Sequence, residues 1–566
     1  MHRVRPRTIA AVIAAIALTA TGAQTVAEAS APVDPSGAAP DGRAADHPTK
    51  VVIIVVDSLS RQIVRKYDMR HVEGLMQRGV DTPHGYVGHT GSVTVVTHNV
   101  ITSGQLPKHM GWTDEGYRDV AGVLPDEEPD NPDQLYITSN FGSDEMFALQ
   151  QAAGYPKLAD YLGAADPSAK TFTISPKGYA AWAFGGAGSD SIITFGSAPA
   201  CPGVPGSWRM PTGINVPSYI TRGPCSRFWV HSGYPDYAYD TTKLPAILYP
   251  LDSDRYVTGH DPAHRGGDVW AADAAVQVMR HEADWNGIFV TLPGVDKAAH
   301  MWGGTSDPGP TGADGDPMTH MRAATATADR QVGKIMAELR AQGVLDDTLV
   351  VLTADHGSVA GRHFYGDLVP EQDYGYNNWY YGDPENDDVY DRPQAALAPL
   401  VATDNVGLSY SDSMLRVWLK DQSPAKVAEA AAAMRTMAGV TAVWRRDGDH
   451  FDRVSRVRWG RMHSAGERRW FVRRAHELVD TEAAPYGPDL IATLPDDTTY
   501  SVAGDHGGIQ RAAQRIPIVF TGAGLSGRDL RAPVRSVDIM PTILEAMGIR
   551  PIHSMDGIAY RLPARR

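Results

Sequence analysis

The sequence predicts an α/β fold with a mostly parallel central sheet and a small α+β insertion, on three observations. Four short apolar, β-branched runs recur along the 566 residues. Helical patterns and glycine-containing loops separate them, which is how parallel strands are connected. Between residues 408 and 498 the pattern changes to short strands around a helix, and the earlier pattern then resumes.

The elements follow in chain order. Residues 1–29 read as an export signal: Arg3, Arg5 and Arg7 precede an apolar run over 9–20, and Ala27, Ala29 and Ala31 suit cleavage. A membrane anchor needs about 20 apolar residues, and this run is shorter. The expectation is a secreted protein with no membrane span once the signal is removed. Residues 30–50, rich in Pro, Gly, Ala and Asp without periodicity, read as a flexible leader.

The four runs are 51–56, 287–292, 348–353 and 516–520, each too short and too β-branched for a helix. Before the third, Ala324, Ala328, Val332, Ile335, Met336 and Leu339 share one helical face, and Gly343 stands just past its end. This helix supplies the crossover that parallel strands need. The insertion reads as a strand at 414–419, a helix opened by Ser423-Pro424 and running to Met437, and a strand at 440–445. Strand-like segments follow at 470–473 and 490–494. The catalytic α/β domain therefore occupies 51–407 and 499–566, with the insertion at 408–498.

With 43% hydrophobic and 21% charged residues, the composition is that of a globular chain and excludes wholesale disorder. The net charge of −14 becomes more negative once the basic leader is cut. A stable complex with nucleic acid or anionic lipid is therefore not expected, and bound divalent cations would offset part of the charge. The two cysteines, Cys201 and Cys225, bracket a Pro- and Gly-rich stretch in an exported chain, and a disulfide stapling that loop is expected. Oligomeric state is not legible in the sequence.

In open α/β sheets functional groups collect at the carboxyl ends of strands. The first run stops at Asp57, the second leads through Asp296 to His300, and the third stops at Asp355-His356-Gly357; Asp505-His506-Gly507-Gly508 precedes the fourth. An isolated Asp after a strand is usually a turn former or helix cap, but here the occurrences coincide. Asp and His together suit zinc, with manganese or iron also accommodated. Asp296 and His300, one helical turn apart, can point at one ion. Thr90 to His98 and Thr102-Ser103-Gly104 gather hydroxyls at a loop-to-helix boundary, where free N–H groups and the helix dipole favour a phosphate. Taken alone, the same residues make a plain helix cap.

These residues resemble the type I phosphodiesterase/nucleotide pyrophosphatase branch of the alkaline phosphatase superfamily. The resemblance rests on Asp57 after a strand, Thr94 with His98 four residues on, Thr102-Ser103-Gly104, Leu106-Pro107-Lys108-His109, Gly111, and then Asp296 with His300, Asp355-His356-Gly357 and His506-Gly507 in the family's order. The stretch from Val537 to Thr542 with Gly548 and Asp556-Gly557 is similar to its C-terminal pattern. It covers 51–562 apart from the insertion and implies an alkaline-phosphatase-like three-layer α/β/α fold.

It also implies two divalent metal ions, one held by Asp296, His300 and His506 and the other by Asp57, Asp355 and His356. The hydroxyl of Thr94 would bind the second ion and attack phosphorus in a small phosphorylated substrate. Ser92 is the rival nucleophile, and His98 reads as a supporting residue. The sequence departs from the family where an asparagine usually follows: it has Asp114-Glu115, and a carboxylate there would repel a phosphate oxygen or need a partner. Arg362 is a candidate phosphate contact. The expected activity is phosphodiester or phosphoanhydride hydrolysis; a phosphomonoesterase is the alternative, and a noncatalytic phosphate- or metal-binding protein is the alternative from another class. An arylsulfatase would need a C/S-x-P-x-R motif, which is absent.

Overall fold

The computed structural model describes residues 47–124, 134–196, 210–220, 262–302, 319–359, 397–462, 464–500, 504–525 and 527–563. The signal segment, the leader to residue 46, both cysteines and Arg362 lie outside the described residues. Among the described residues no helix is long and apolar enough to cross a membrane.

The strands in chain order are β1 (Lys50–Val56), β2 (Val80–Asp81), β3 (Gly116–Arg118), β4 (Leu135–Ile137), β5 (Lys170–Ile174), β6 (Ser191–Gly196), β7 (Met210–Ile214) and β8 (Trp285–Leu292). They continue with β9 (Thr348–Thr353), β10 (Val406–Ser411), β11 (Met414–Leu419), β12 (Ala442–Asp447), β13 (His450–Arg453), β14 (Leu490–Thr493) and β15 (Ile518–Gly522).

Eight strands form the central sheet in the order β2-β15-β9-β1-β8-β5-β6-β7. The pairs β9-β1, β1-β8, β8-β5 and β5-β6 are parallel, whereas β15 runs antiparallel to both β9 and β2, and β7 is antiparallel to β6. Val51 through Val56 are all fully buried, so successive side chains on opposite faces of β1 are equally covered. A continuous apolar run is what a parallel strand with helices on both faces requires. The helices Pro262–His281 and Thr319–Ala341 pack on each other, with Val332, Ile335, Met336 and Leu339 in the core. The expected mostly parallel α/β/α fold is thus the one observed.

The second sheet, β10-β11-β14-β12-β13, is antiparallel throughout. Along β11 the alternation is clean. Leu415, Val417 and Leu419 join the core under the helix Pro424–Met434, while Met414 faces the helix Ala465–Val479. Residues 470–473, expected as a strand, lie inside that second helix. The misreading came from a local Trp-Phe-Val apolar run. The longer pattern decides: Phe471, Ala475, Leu478 and Val479 recur at helical spacing and are buried, and Ser464 Oγ accepts from the amide of Glu467 (3.0 Å) as the N-cap.

Candidate active site

Strands β9, β1, β8 and β5 are parallel neighbours, so their carboxyl ends share one edge of the sheet. Asp355 and His356 follow β9, Asp57 follows β1, and Asp296 and His300 lie on the helix Gly294–Trp302 after β8. Since β15 is antiparallel to β9, it is the start of β15 that faces this edge, and the preceding loop carries His506. That reversal explains how a residue before a strand joins residues that follow strands.

The structure brings the six residues together as two groups. Asp296, His300 and His506 offer ligand atoms within 4.8 Å of one another, and so do Asp57, Asp355 and His356. In the first, Asp296 Oδ1 lies 3.2 Å from His300 Nε2 and 3.6 Å from His506 Nε2. In the second, His356 Nε2 is 3.5 Å from both Asp57 Oδ1 and Asp355 Oδ2. The groups adjoin, with the His356 and His506 rings stacked 3.5 Å apart.

The donor set fits divalent cations. Asp57 Oδ1, Asp296 Oδ1, Asp355 Oδ2 and His356 Nε2 are buried without a hydrogen-bond partner, a costly state unless the lone pairs serve another purpose. Metal–ligand bonds of about 2.0–2.2 Å put neighbouring corners of a tetrahedron about 3.3–3.6 Å apart, close to the separations observed. The histidines are oriented for it: His506 Nδ1 meets the Ser92 carbonyl (3.2 Å) and His356 Nδ1 the Gly357 carbonyl (3.2 Å). The ring proton therefore sits on Nδ1, and Nε2 turns its lone pair inward. Burial pushes His356 down to about 4, so the ring is neutral. A third group, Asp447, His450 and Asp452 on the β12–β13 hairpin, lies at the surface and has no unpartnered buried atom.

Between the two groups stands Lys177, a residue the sequence analysis did not single out. Its Nζ donates to Asp57 Oδ2 (2.5 Å) and Asp296 Oδ2 (2.9 Å) and lies 3.3 Å from Thr94 Oγ1. It follows β5 at the start of the helix Gly178–Gly185, on the same edge as the other site residues. Burial opposes its charge, but Asp296 and Asp57 outweigh burial and hold its pKa well above the ordinary value. A second buried ammonium, Lys297, is 3.1 Å from Asp296 Oδ2. Burial and the carboxylates of Asp296 and Asp355 push Asp57 up to about 7. Asp296 goes the other way: burial would raise it, yet Lys177 and Lys297 keep it well below the carboxylate range.

Thr94 opens the helix Thr94–Ser103, and no side chain caps that end. Its hydroxyl faces Lys177, whereas Ser92 Oγ turns towards Thr90 O and Gln514 Nε2. His98 is held between the Thr94 carbonyl (2.8 Å) and Thr291 Oγ1 (2.9 Å), with burial pushing it down to about 3. It braces the start of the helix. The Glu115 carboxylate has the partners its burial demands: Oε2 accepts from Tyr410 Oη (2.6 Å) and Ser139 Oγ (2.9 Å).

The small sheet forms a wall of this site through Arg416 on β11. Fully buried, Arg416 pairs with Asp114 (2.6 Å), Asp412 (2.9 Å) and Glu482 (3.0 Å). Its Nη2 donates to the carbonyls of Thr90 and Gly507 (both 2.6 Å). One guanidinium thus ties the loop before Thr94 to the loop bearing His506. Ser413 Oγ also donates to the His506 carbonyl (2.7 Å). Gly507 takes φ +78°, and a Cβ there would lie 1.8 Å from Asp412 Oδ2, so only glycine fits beneath the β10–β11 turn.

Comparison with known proteins bears on the family and the fold. The profile of the type I phosphodiesterase/nucleotide pyrophosphatase family matches residues 51–509. The chain belongs to this family, within the alkaline phosphatase superfamily. Among curated proteins it is similar to alkaline phosphatase PhoK of a Sphingomonas species, 24% identical over 58% of this chain, and the match spans 59% of PhoK's length. It is also similar to alkaline phosphatase PhoD of Zymomonas mobilis, 23% identical over 88% of this chain and 85% of that one. The crystal structure of alkaline phosphatase PafA shares the fold, with a TM-score of 0.54 at 15% identity over 90% of this chain and 97% of that one.

Two predictions follow from the packing around the site. Arg416→Met leaves three buried carboxylates without their cation and should cost about 3–5 kcal/mol in urea unfolding; a loss under about 1 kcal/mol would contradict the hub assignment. Asp268, fully buried on the helix Pro262–His281, accepts from the Gly294 amide (2.8 Å) and so anchors the start of the helix that carries Asp296. Burial pushes its pKa up to about 8. The unfolded chain loses this proton near pH 4 while the folded protein keeps it, so stability is lost as pH rises from about 4 to about 8. Asp268→Asn has no such proton, and its stability relative to the parent should grow between about pH 5 and pH 8 in urea titrations.

Proposed function

We propose that this protein is a metal-dependent phosphoric ester hydrolase that forms a phosphoryl intermediate on Thr94. The observation that carries this reading is the placement of Thr94 Oγ1 beside Lys177 Nζ (3.3 Å), with Lys177 in turn joined to one carboxylate of each donor group. Asp296, His300 and His506 would hold one divalent ion, zinc by the chemistry of the donors, and Asp57, Asp355 and His356 the other. Two such ions, when bound, acidify hydroxyl groups and neutralise phosphoryl charge.

The chain's own residues do the rest. Thr94 is placed by its helix and by His98 so that its oxygen can form the new bond to phosphorus as the ester oxygen departs with the electron pair of the broken bond. Water then cleaves the threonyl ester and returns the hydroxyl. No side chain caps the start of the Thr94 helix, and an uncapped helix N-terminus suits a phosphoryl oxygen. The Lys177 ammonium, 3.3 Å from Thr94 Oγ1, would be placed for a further phosphoryl oxygen.

Diester or phosphoanhydride hydrolysis is the reading that family membership supports. Lys177 favours a second one, phosphomonoester hydrolysis. A monoester dianion carries one more charge than a diester, and a fixed ammonium beside the nucleophile matches it. Two curated relatives are alkaline phosphatases by name.

The test is turnover of bis-p-nitrophenyl phosphate and p-nitrophenyl phosphate with zinc, manganese or EDTA. Thr94→Ala should lower kcat at least about a thousandfold while Thr94→Ser keeps part of it; a Thr94→Ala enzyme at parental rate would sink the threonyl intermediate. If Lys177 serves a monoester, Lys177→Ala should lower monoester kcat/KM more than diester kcat/KM.

We also infer export through the N-terminal segment, from its Arg3 to Arg7 cluster, apolar run and small residues near 27–31. Amino-terminal sequencing of protein recovered outside the producing cell should begin near residue 30; an intact Met1 would refute it.

A further inference from the structure

Away from the candidate active site, a cleft of about 590 Å³ opens between the helix Arg61–Lys66, the turn at Pro83 and the segment from Arg511 to Arg515. Its lining stands out in a chain of net charge −14. Arg61 is committed to a bidentate pair with Asp81 (2.8 and 2.6 Å). Apart from that pair, the lining among the described residues holds Arg65, Arg511 and Arg515, with Lys66 beside them, and one carboxylate, Glu467.

Glu467 is itself occupied, since Oε2 accepts from the Arg511 backbone amide (3.0 Å). Arg515 is half buried: its Nη2 donates to the Pro83 carbonyl (2.5 Å), but its Nε is buried with no hydrogen-bond partner. Burial, and then the neighbouring charges of Arg511, Arg61 and Arg65, pull the Arg515 guanidinium down to about 10. Ordinary surface cations do not show this combination of concavity, gathered like charge and a buried guanidinium N–H left without an acceptor. An oxyanion with several charged oxygens would relieve the repulsion, and arginine forks suit phosphate or sulfate groups.

We propose that this cleft binds a compact polyanion bearing phosphate or sulfate groups, at a site separate from the catalytic one. Its volume is that of a small-molecule site. The cleft also reaches the machinery described above. Ala512 lines it, and the adjacent Ala513 carbonyl accepts from the amide of Gly357, next to His356 (2.7 Å). An anion drawing Arg511 and Arg515 together would therefore act on a segment hydrogen-bonded to the His356 loop.

Inositol hexasulfate, a compact polyanion without phosphoryl groups, serves as the probe, titrated calorimetrically into the metal-loaded full chain. The variants are Arg511→Gln and Arg65→Gln, both at exposed side chains whose loss does not threaten folding, and Lys177→Ala to report on the catalytic site. Binding that weakens about tenfold or more in each arginine variant and is retained in Lys177→Ala supports the proposal. Binding lost in Lys177→Ala but kept in the arginine variants places the anion at the catalytic site and overturns it. Absence of binding, or binding indifferent to all three changes, overturns it as well.

Discussion

Three fully buried aspartates, Asp57, Asp296 and Asp355, meet at one edge of the sheet, and much of the architecture around them compensates their charge. A buried carboxylate without a partner is among the most expensive groups a protein can hold. Two buried ammoniums, Lys177 and Lys297, leave one negative charge uncompensated among these five groups, and four ligand atoms still lack hydrogen bonds. Divalent cations bound there, as proposed, would balance this charge, and the excess positive charge they bring would suit a phosphate. The same electrostatic demand thus accounts for the neutral histidines and the buried lysine, and for the substrate class proposed.

Holding these groups in place requires elements from distant parts of the chain. Parallel pairing of β9, β1, β8 and β5 sets the spacing between successive ligands at that of neighbouring strands, about 5 Å. The antiparallel β15 delivers His506 from the opposite chain direction. The small sheet supplies Arg416, whose five partners include a carbonyl from each of two site loops. Its place on a strand matters: a rigid, twice-paired strand fixes the guanidinium more closely than a loop could.

The parts of this design that were legible in the sequence are those in which a functional residue directly follows a strong apolar run. Asp57 after six β-branched residues, and Asp355-His356 after another run, could be read without any structure. Lys177 was not legible. Its strand, Lys-Thr-Phe-Thr-Ile, alternates in polarity and does not look like the interior of a parallel sheet, although Phe172, Thr173 and Ile174 are all buried. Arg416 gave no signal either, because a single arginine among apolar residues normally marks the solvent face of a strand. Its partners come from positions 114, 412 and 482, a coincidence that only the folded chain creates. The helix Ala465–Val479 was hidden by its Trp-Phe-Val run, a local pattern that a longer window would have corrected.

Arg416 also bears on how the small sheet and the site share stability. Its partners lie on the β10–β11 turn, just after the helix Ala465–Val479, and on three loops of the large domain, those of Thr90, Asp114 and Gly507. Asp412 and Glu482 belong to the same insertion as Arg416, so moving the small sheet away would break the pair with Asp114 and the hydrogen bonds to the Thr90 and Gly507 carbonyls at once. The sheet is thus tied to the loops that carry Thr94 and His506. An element with the appearance of an insertion is thereby bound into the same cooperative unit as the residues proposed to perform the chemistry.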